Sequence, residues 1–317
     1  MTESQVIVLG SGVAGLTAAI YLSCYNYQPL VLAGEVYGGK PTWTDKVENY
    51  PGFVEGIAGV QLSQNMIAQA EKLGAQIIME GVKKVDLSQR PFKLWTRNSV
   101  EGEPDYLTQV LIIATGCQPI MLGLEEEKSY LGRGLALCAT CDGPFYKNKI
   151  VAVVGGGNSA IQEAHLLSQY AKKVILIHRR ANWRADKVLV SRLAELDNLE
   201  IMMESEVIGL LGEKYLQNIR IKNVINGEEK IIATDGLFLA LGTKPETEFL
   251  RGQLELNEKG YIKRMIKINE NRAQTATNVA GVFVAGDVAD ERYKQIAVAV
   301  GQGAMAGIDA VRFLDQL

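Results

Sequence analysis

A chain of 317 residues is long enough for two domains of ordinary size, each with its own core. Its 47% hydrophobic and 22% charged residues suit a globular protein, and no window holds the 18 or more uninterrupted apolar residues of a membrane helix. A net charge of −3 offers no basic field for nucleic acid, and four cysteines do not make a disulfide framework, so the expected setting is reducing and cytoplasmic.

The first residues, Met1-Thr2-Glu3-Ser4-Gln5, lack the basic region of a signal peptide and lead straight into Val6-Ile7-Val8-Leu9. That apolar run suits a strand buried on both faces. Gly10-Ser11-Gly12-Val13-Ala14-Gly15 comes next, then a small-residue helix over 16–25, then a strand through Pro29-Leu30-Val31-Leu32-Ala33. A G-x-G-x-x-G motif between strand and helix marks a dinucleotide site: a tight turn brings backbone close to a pyrophosphate at the free N–H groups of the helix. Cys24, in the helix pattern, is expected to be an inert core thiol, as is Cys117 after the buried run Val110-Leu111-Ile112-Ile113-Ala114-Thr115-Gly116.

Cys138-Ala139-Thr140-Cys141-Asp142-Gly143 is the sharpest feature. Two thiols separated by two residues close a small disulfide, and the spacing commonly lowers one thiol's pKa. Half a zinc site would need two further ligands, but Cys24 and Cys117 are isolated and neither histidine has ligand spacing; no metal is expected. A chance structural pair is the other reading. Asp142 is a candidate proton donor to a departing thiolate, or else a solvated turn residue.

The opening grammar returns after the cysteines. Ile150-Val151-Ala152-Val153-Val154 runs into Gly155-Gly156-Gly157-Asn158-Ser159-Ala160, then a helix, then the strand Lys173-Val174-Ile175-Leu176-Ile177. His178-Arg179-Arg180, with Arg184, stand where such a unit meets the adenosine ribose. An acid there suits NAD; forked arginines suit the extra phosphate of NADP, unless they are an ordinary basic surface stretch. His165, mid-helix, is expected to be structural. Gly236-Leu237-Phe238-Leu239-Ala240-Leu241-Gly242 reads as a strand leaving this domain, and Gly281-Val282-Phe283-Val284-Ala285-Gly286-Asp287 as a buried strand ending in an acid. The expected fold is α/β, with two Rossmann-like dinucleotide-binding domains. The second, 118–246, carries the cysteine pair and is inserted into the first, 1–117 plus 247–317.

The chain resembles the low-molecular-weight thioredoxin reductases over nearly its whole length. The resemblance is carried by residues 10–15, Glu48-Asn49-Tyr50-Pro51-Gly52, Ala114-Thr115-Gly116, residues 138–142, 155–160 and 178–184, and Ala285-Gly286-Asp287. In the glutathione-reductase branch a wider-spaced pair lies in the FAD domain, with a C-terminal histidine base; both features are missing here. The resemblance implies FAD held by Gly10, Gly12, Gly15, Gly38, Gly39, Lys40, Asn49, Gly286 and the segment 287–296, which begins at Asp287. It implies NADPH on Gly155, Gly157, Asn158, Ser159 and Ala160, with its 2′-phosphate near His178, Arg179, Arg180 and Arg184. Cys141 would face the flavin, Cys138 would attack the disulfide of thioredoxin or a similar protein, and Asp142 would be the acid. Family members are homodimers whose inserted domain rotates between the two half-reactions.

Three positions depart from the family's commonest pattern: Lys40-Pro41 after Gly38-Gly39, Trp43, and Lys294-Gln295-Ile296. All are expected close to the flavin ring. They keep open a relative with another electron donor, such as ferredoxin, another acceptor, or a disulfide oxidase. A non-catalytic, nucleotide-bound redox sensor is the alternative outside enzymes. No nucleic acid or membrane partner is expected.

Overall fold

The computed structural model of the protein describes residues 1–44, 46–99, 102–265 and 273–317. The chain divides into two compact units, Met1–Gln118 with Lys244–Leu317, and Pro119–Thr243.

The first unit opens with β1 (Thr2–Leu9), α1 (Val13–Cys24) and β2 (Leu30–Leu32), continues through α2 (Gly59–Lys72) and β3 (Gln76–Ile78), and adds the antiparallel β4 (Val82–Asp86) and β5 (Phe92–Thr96) before β6 (Tyr106–Ile113). Strands β3, β2, β1 and β6 lie side by side and parallel. The unbroken apolar run of β1 is explained by cover on both faces. Val6 and Val8 enter a core shared with α1, while Ile7 and Leu9 point into a second core with Leu94, Leu250 and Val284. Cys24 does not join either core. It closes α1 on the solvent side of the helix and is exposed, while its neighbours Leu22 and Ser23 are buried. The expectation of a core thiol there is corrected.

The chain leaves through β7 (Cys117–Pro119). The second unit contains α3 (Glu127–Tyr130), β8 (Leu135–Ala136), α4 (Ala139–Asp142), β9 (Ile150–Val154), α5 (Asn158–Ser168), β10 (Lys173–Ile177), α6 (Lys187–Ser191) and β11 (Leu199–Met202). An antiparallel trio comes next, β12 (Ser205–Leu211), β13 (Asn218–Asn223) and β14 (Glu229–Ala233), and then β15 (Gly236–Leu239). The main sheet runs β11-β10-β9-β15-β8, all parallel. Here too the central strand alternates between two cores: Val151 and Val153 on one side, Ala152 and Val154 on the other.

The chain returns by β16 (Thr243–Pro245), which pairs with β7, and completes the first unit with β17 (Val282–Val284) and α7 (Ile296–Leu314). Strand β6 is flanked on one edge by two partners: β5 beside its first half, through Leu94↔Tyr106, and β17 beside its second, through Val282↔Leu111. Helix α7, 19 residues, is long and apolar enough by length and composition to cross a membrane. In this structure its small residues seat it against α1. A Cβ at Gly303 would stand 2.2 Å from the Ala14 carbonyl oxygen, and one at Gly307 2.9 Å from that of Ala18. Its buried Asp309 accepts from Thr275 through the backbone N–H (3.1 Å) and the hydroxyl (2.7 Å).

Candidate active site

The first glycine turn lies at the carboxyl end of β1, where open parallel sheets bind ligands. Gly10 has φ +103°, and a Cβ on it would meet the Ala114 carbonyl oxygen at 2.4 Å; a Cβ on Gly15 would meet the Gly10 oxygen at 1.9 Å. The first glycine thus permits the turn, and the third lets α1 close on β1. Gly12 caps α1, and Gly39, at φ +72°, approaches it so closely that a Cβ would stand 2.6 Å from Gly12 Cα. Gly38 N donates to Ser11 Oγ at 3.0 Å, tying the two glycine turns together.

These turns open onto a cavity of about 460 Å³ whose lining includes Gly10, Gly12, Gly39, Lys40, Trp43 and Asp287. Gly286, at φ +77°, also lines it, held by an N–H bond to the Gln302 side chain at 2.8 Å. Asn49, Lys294, Gln295 and Ile296 lie outside this lining; Asn49 Nδ2 donates to Gln295 Oε1 at 3.1 Å. Ile296 begins α7 and packs on the first core, while the Lys294 ammonium sits 5.5 Å from the Tyr261 ring centre.

Lys40 makes an ion pair in the cavity with Asp287, and its Nζ also lies 3.4 Å from Cys117 Sγ. Burial alone would pull the ammonium's pKa down; the carboxylate and the sulfur outweigh it, so the net shift is upward. Cys117 is buried, as expected, but its sulfur belongs to this polar cluster, 3.6 Å from Asp287 Oδ2, and is not an inert core group.

Sequence reading missed Glu35. It lines the same cavity just past β2, 20 residues after Gly15, and pairs with Arg97. An acid at that offset is what a dinucleotide's ribose hydroxyls meet in this kind of fold, so the spacing itself was the available signal.

The second turn is built the same way in the other unit. A Cβ on Gly155 would meet the Ala240 carbonyl oxygen at 2.6 Å, and Ala160 is fully buried. Gly157 caps α5 and has open space where its side chain would be, as backbone that a ligand approaches must. Asn158 and Asp186 clasp each other, Nδ2 to Oδ2 at 2.8 Å and Asp186 N to Oδ1 at 2.9 Å. Ser159 is exposed on the first turn of α5.

His178 is buried, stacked on Trp183 at 5.2 Å, with Nε2 3.1 Å from the Asn182 carbonyl oxygen. Its ring lies against Gly156, where any Cβ would fall within 2.1 Å of it. Burial, then the charges of Arg184, Arg180 and Arg179, hold its pKa below the ordinary value. The imidazole is therefore a neutral support under the loop. The three guanidiniums are exposed, and among the described residues they pair with no carboxylate. Arg184 N donates to Gly156 O at 2.9 Å, which fixes this loop to the glycine turn.

Cys138 and Cys141 form a disulfide, with Cα atoms 5.4 Å apart. Cys138 caps α4, its sulfur accepting from Cys141 N at 3.2 Å. Both cysteines and Asp142 are half-buried, so the bond is within reach of a partner yet partly shielded from water.

Helix α5 carries a residue to which sequence reading assigned no role. Glu163, on α5, has a side-chain oxygen, Oε2, that is buried and accepts no hydrogen bond among the described residues. Burial, with the Asp142 charge adding to it, pushes its pKa from 4.5 up to about 7. The folded chain therefore holds this proton more tightly than the unfolded chain does. Stability from this group is complete below pH 4.5 and is lost as pH rises through 7, by about 3 kcal/mol. Glu163→Gln should accordingly raise the melting temperature at pH 8 and leave it nearly unchanged at pH 4.5. Equal effects at the two pH values would show that folding does not raise the Glu163 pKa.

Compared with known proteins, residues 4–303 match the family model described as pyridine nucleotide-disulphide oxidoreductase. The chain is 43% identical over 322 residues to a thioredoxin reductase of Escherichia coli O157:H7, covering 99% of this chain and 97% of that protein. It is also 43% identical to a thioredoxin reductase of Coxiella burnetii, over 317 residues, 99% of this chain and 97% of that one. Among solved structures, a thioredoxin reductase from Streptococcus pyogenes superposes with a TM-score of 0.89 at 32% identity, over 99% of each chain.

Proposed function

Because the chain belongs to the pyridine nucleotide-disulphide oxidoreductase family, we propose that it is an FAD-containing disulfide reductase of the thioredoxin reductase type, carrying electrons from NADPH to the Cys138–Cys141 pair and on to thioredoxin or a thioredoxin-like protein. The single observation that carries this reading is the disulfide, half-buried, in the same unit as a second glycine-rich strand-to-helix turn. A structural disulfide gains nothing from such a neighbour; a redox pair needs an electron source close by in the fold.

The first unit suits FAD on its own evidence. Its cavity of about 460 Å³ is lined by tight glycine turns at Gly10 and Gly39, where a Cβ would strike the Ala114 carbonyl oxygen and Gly12 Cα. Gly10, Gly12 and Gly39 would carry the pyrophosphate, with Gly15 and Gly38 shaping the turns. Glu35 would meet the adenosine ribose. Lys40, Gly286 and Asp287 would contact the remainder, with Asn49, Lys294, Gln295 and Ile296 at its margin. Bound there, FAD supplies two-electron transfer between a reduced nicotinamide and a disulfide.

In the second unit, Gly155, Gly157, Asn158, Ser159 and Ala160 would hold the NADPH pyrophosphate. Arg179, Arg180 and Arg184 would take the 2′-phosphate, with His178 supporting them from beneath. Cys141 receives electrons, Cys138 attacks the incoming protein disulfide, and Asp142 moves the proton. A homodimer and a cytoplasmic setting complete the reading.

Anaerobic titration tests it. The purified protein should be yellow, NADPH should bleach the flavin, and oxidised thioredoxin should restore the colour. A flavin that stays oxidised with NADPH bound would remove NADPH from the reading as donor; failure of thioredoxin to restore colour would remove it as acceptor.

A further inference from the structure

Helix α4 ends in Asp142 beside Cys141, and α4 packs on α5, which carries Glu163. Glu163 has one carboxyl oxygen sealed from water and accepting no hydrogen bond among the described residues, and the charge of Asp142 acts on it. A glutamine could donate as well as accept there, without the risk of a buried charge, so an acid is an unfavourable choice on structural grounds alone. Buried acids with a nearby like charge and no partner are found where protons are moved.

We propose that Glu163 is a positioning residue for the proton of the dithiol reaction: it and Asp142 act as one carboxyl pair that holds a single proton beside Cys141. The proposal rests on the reading of Asp142 as the acid and extends it one residue inward. In the exchange, Cys138, its proton given up to solvent, attacks as thiolate one sulfur of the protein disulfide, and the first substrate sulfur leaves as a thiolate that takes a proton back from solvent. Cys141 then attacks Cys138 Sγ, the mixed disulfide breaks, and the second substrate sulfur leaves as the Cys138–Cys141 bond re-forms. Two enzyme thiols become a disulfide and one substrate disulfide becomes two thiols, so electrons and protons balance without another reagent. Asp142 takes the Cys141 proton and gives it to the leaving sulfur. Glu163 keeps the pair from carrying two negative charges while it does so.

The elements packed on α5 are α4, β9, β10, α6 and the 3-10 turn Arg192–Glu195. They carry Cys141, Asp142, Lys173, Lys187, Arg192 and Glu195, with His165 on α5 itself; of these, Asp142 is the one whose charge acts on Glu163.

The test uses flavin-loaded, prereduced enzyme in single turnover against two oxidants. One is oxidised thioredoxin, whose alkyl thiolate must be protonated as it leaves. The other is an aromatic disulfide, whose thiolate is stable without a proton. Wild-type exchange with thioredoxin should show an inflection near pH 7. Glu163→Gln should lose that inflection and slow the thioredoxin reaction more than the aromatic one, which still needs the Cys141 proton removed but not delivered. Glu163→Asp should recover part of the profile. Equal slowing with both oxidants, or a wild-type pH profile in Glu163→Gln, overturns the proposal. Asp142→Asn separates the two ideas. If it slows the thioredoxin reaction more than the aromatic one while Glu163→Gln changes nothing, Asp142 is the acid and Glu163 is not its partner. If neither variant matters, the acid reading has failed as well.

Discussion

Cys138→Ser and Cys141→Ser should each lower turnover with a protein disulfide by about a thousandfold or more, because each removes one half of the only disulfide among the described residues. The losses should look different. In Cys138→Ser the remaining Cys141 thiolate should give a long-wavelength charge-transfer band with bound FAD. In Cys141→Ser the remaining Cys138 has nothing to resolve it, so it should trap oxidised thioredoxin as a stable mixed disulfide. Both variants should keep the flavin, since its proposed cavity is lined from the other unit. Neither serine should unfold the chain: both positions are half-buried, and the replacement is smaller by little. Wild-type reductase activity in either single variant would refute the electron path, and trapping by Cys138→Ser in place of Cys141→Ser would reverse the two roles.

Arg180→Ala should weaken NADPH by roughly ten- to a hundredfold and barely change NADH. An arginine-to-phosphate bond is charge-assisted and contributes about 1.5–3 kcal/mol, at about 1.4 kcal/mol per decade of affinity. Arg179, Arg180 and Arg184 are near enough together that all three charges act on His178, and among the described residues no carboxylate neutralises them. A dianionic phosphate would complete such a cluster, and it is absent from NADH. Binding measured at two salt concentrations checks the cause, since the lost affinity should shrink as salt rises. Equal losses for NADPH and NADH would mean that Arg180 supports the loop and does not read the phosphate.

Much of this molecule could be read from its residues, and the physical reason is local. A strand covered on both faces needs an unbroken apolar run, and a phosphate-binding turn needs glycine where a Cβ would strike the chain. Val6-Ile7-Val8-Leu9 with Gly10, and Ile150 to Val154 with Gly155, therefore announce themselves within a dozen residues. Glu35 was equally local but lay in a stretch where an acid attracts no notice. The Lys40, Cys117 and Asp287 cluster could not be found this way, because its members lie 77 and 247 residues from Lys40 along the chain. Glu163 is hidden for the same reason: its raised pKa comes from burial and from the charge of Asp142, and nothing in Gln162-Glu163-Ala164 signals it. The antiparallel trio β12–β14 went unread because its alternation is diluted by charged residues on the open face of β13 and β14.

Strand β6 also sets an order of events during synthesis. Half of its edge waits for β17, since Leu111 pairs with Val282, and the cavity lacks Asp287 until that stretch has been made. The inserted unit, continuous from Pro119 to Thr243, has no such wait. At about 5–20 residues per second, the ribosome needs on the order of 4–15 s to add the stretch from Lys244 to Leu317. For that interval a redox pair can close in a finished nucleotide-type fold while the surrounding unit is still an open sheet with an unpaired edge. The nascent chain should therefore acquire its thiol chemistry before it can hold a flavin.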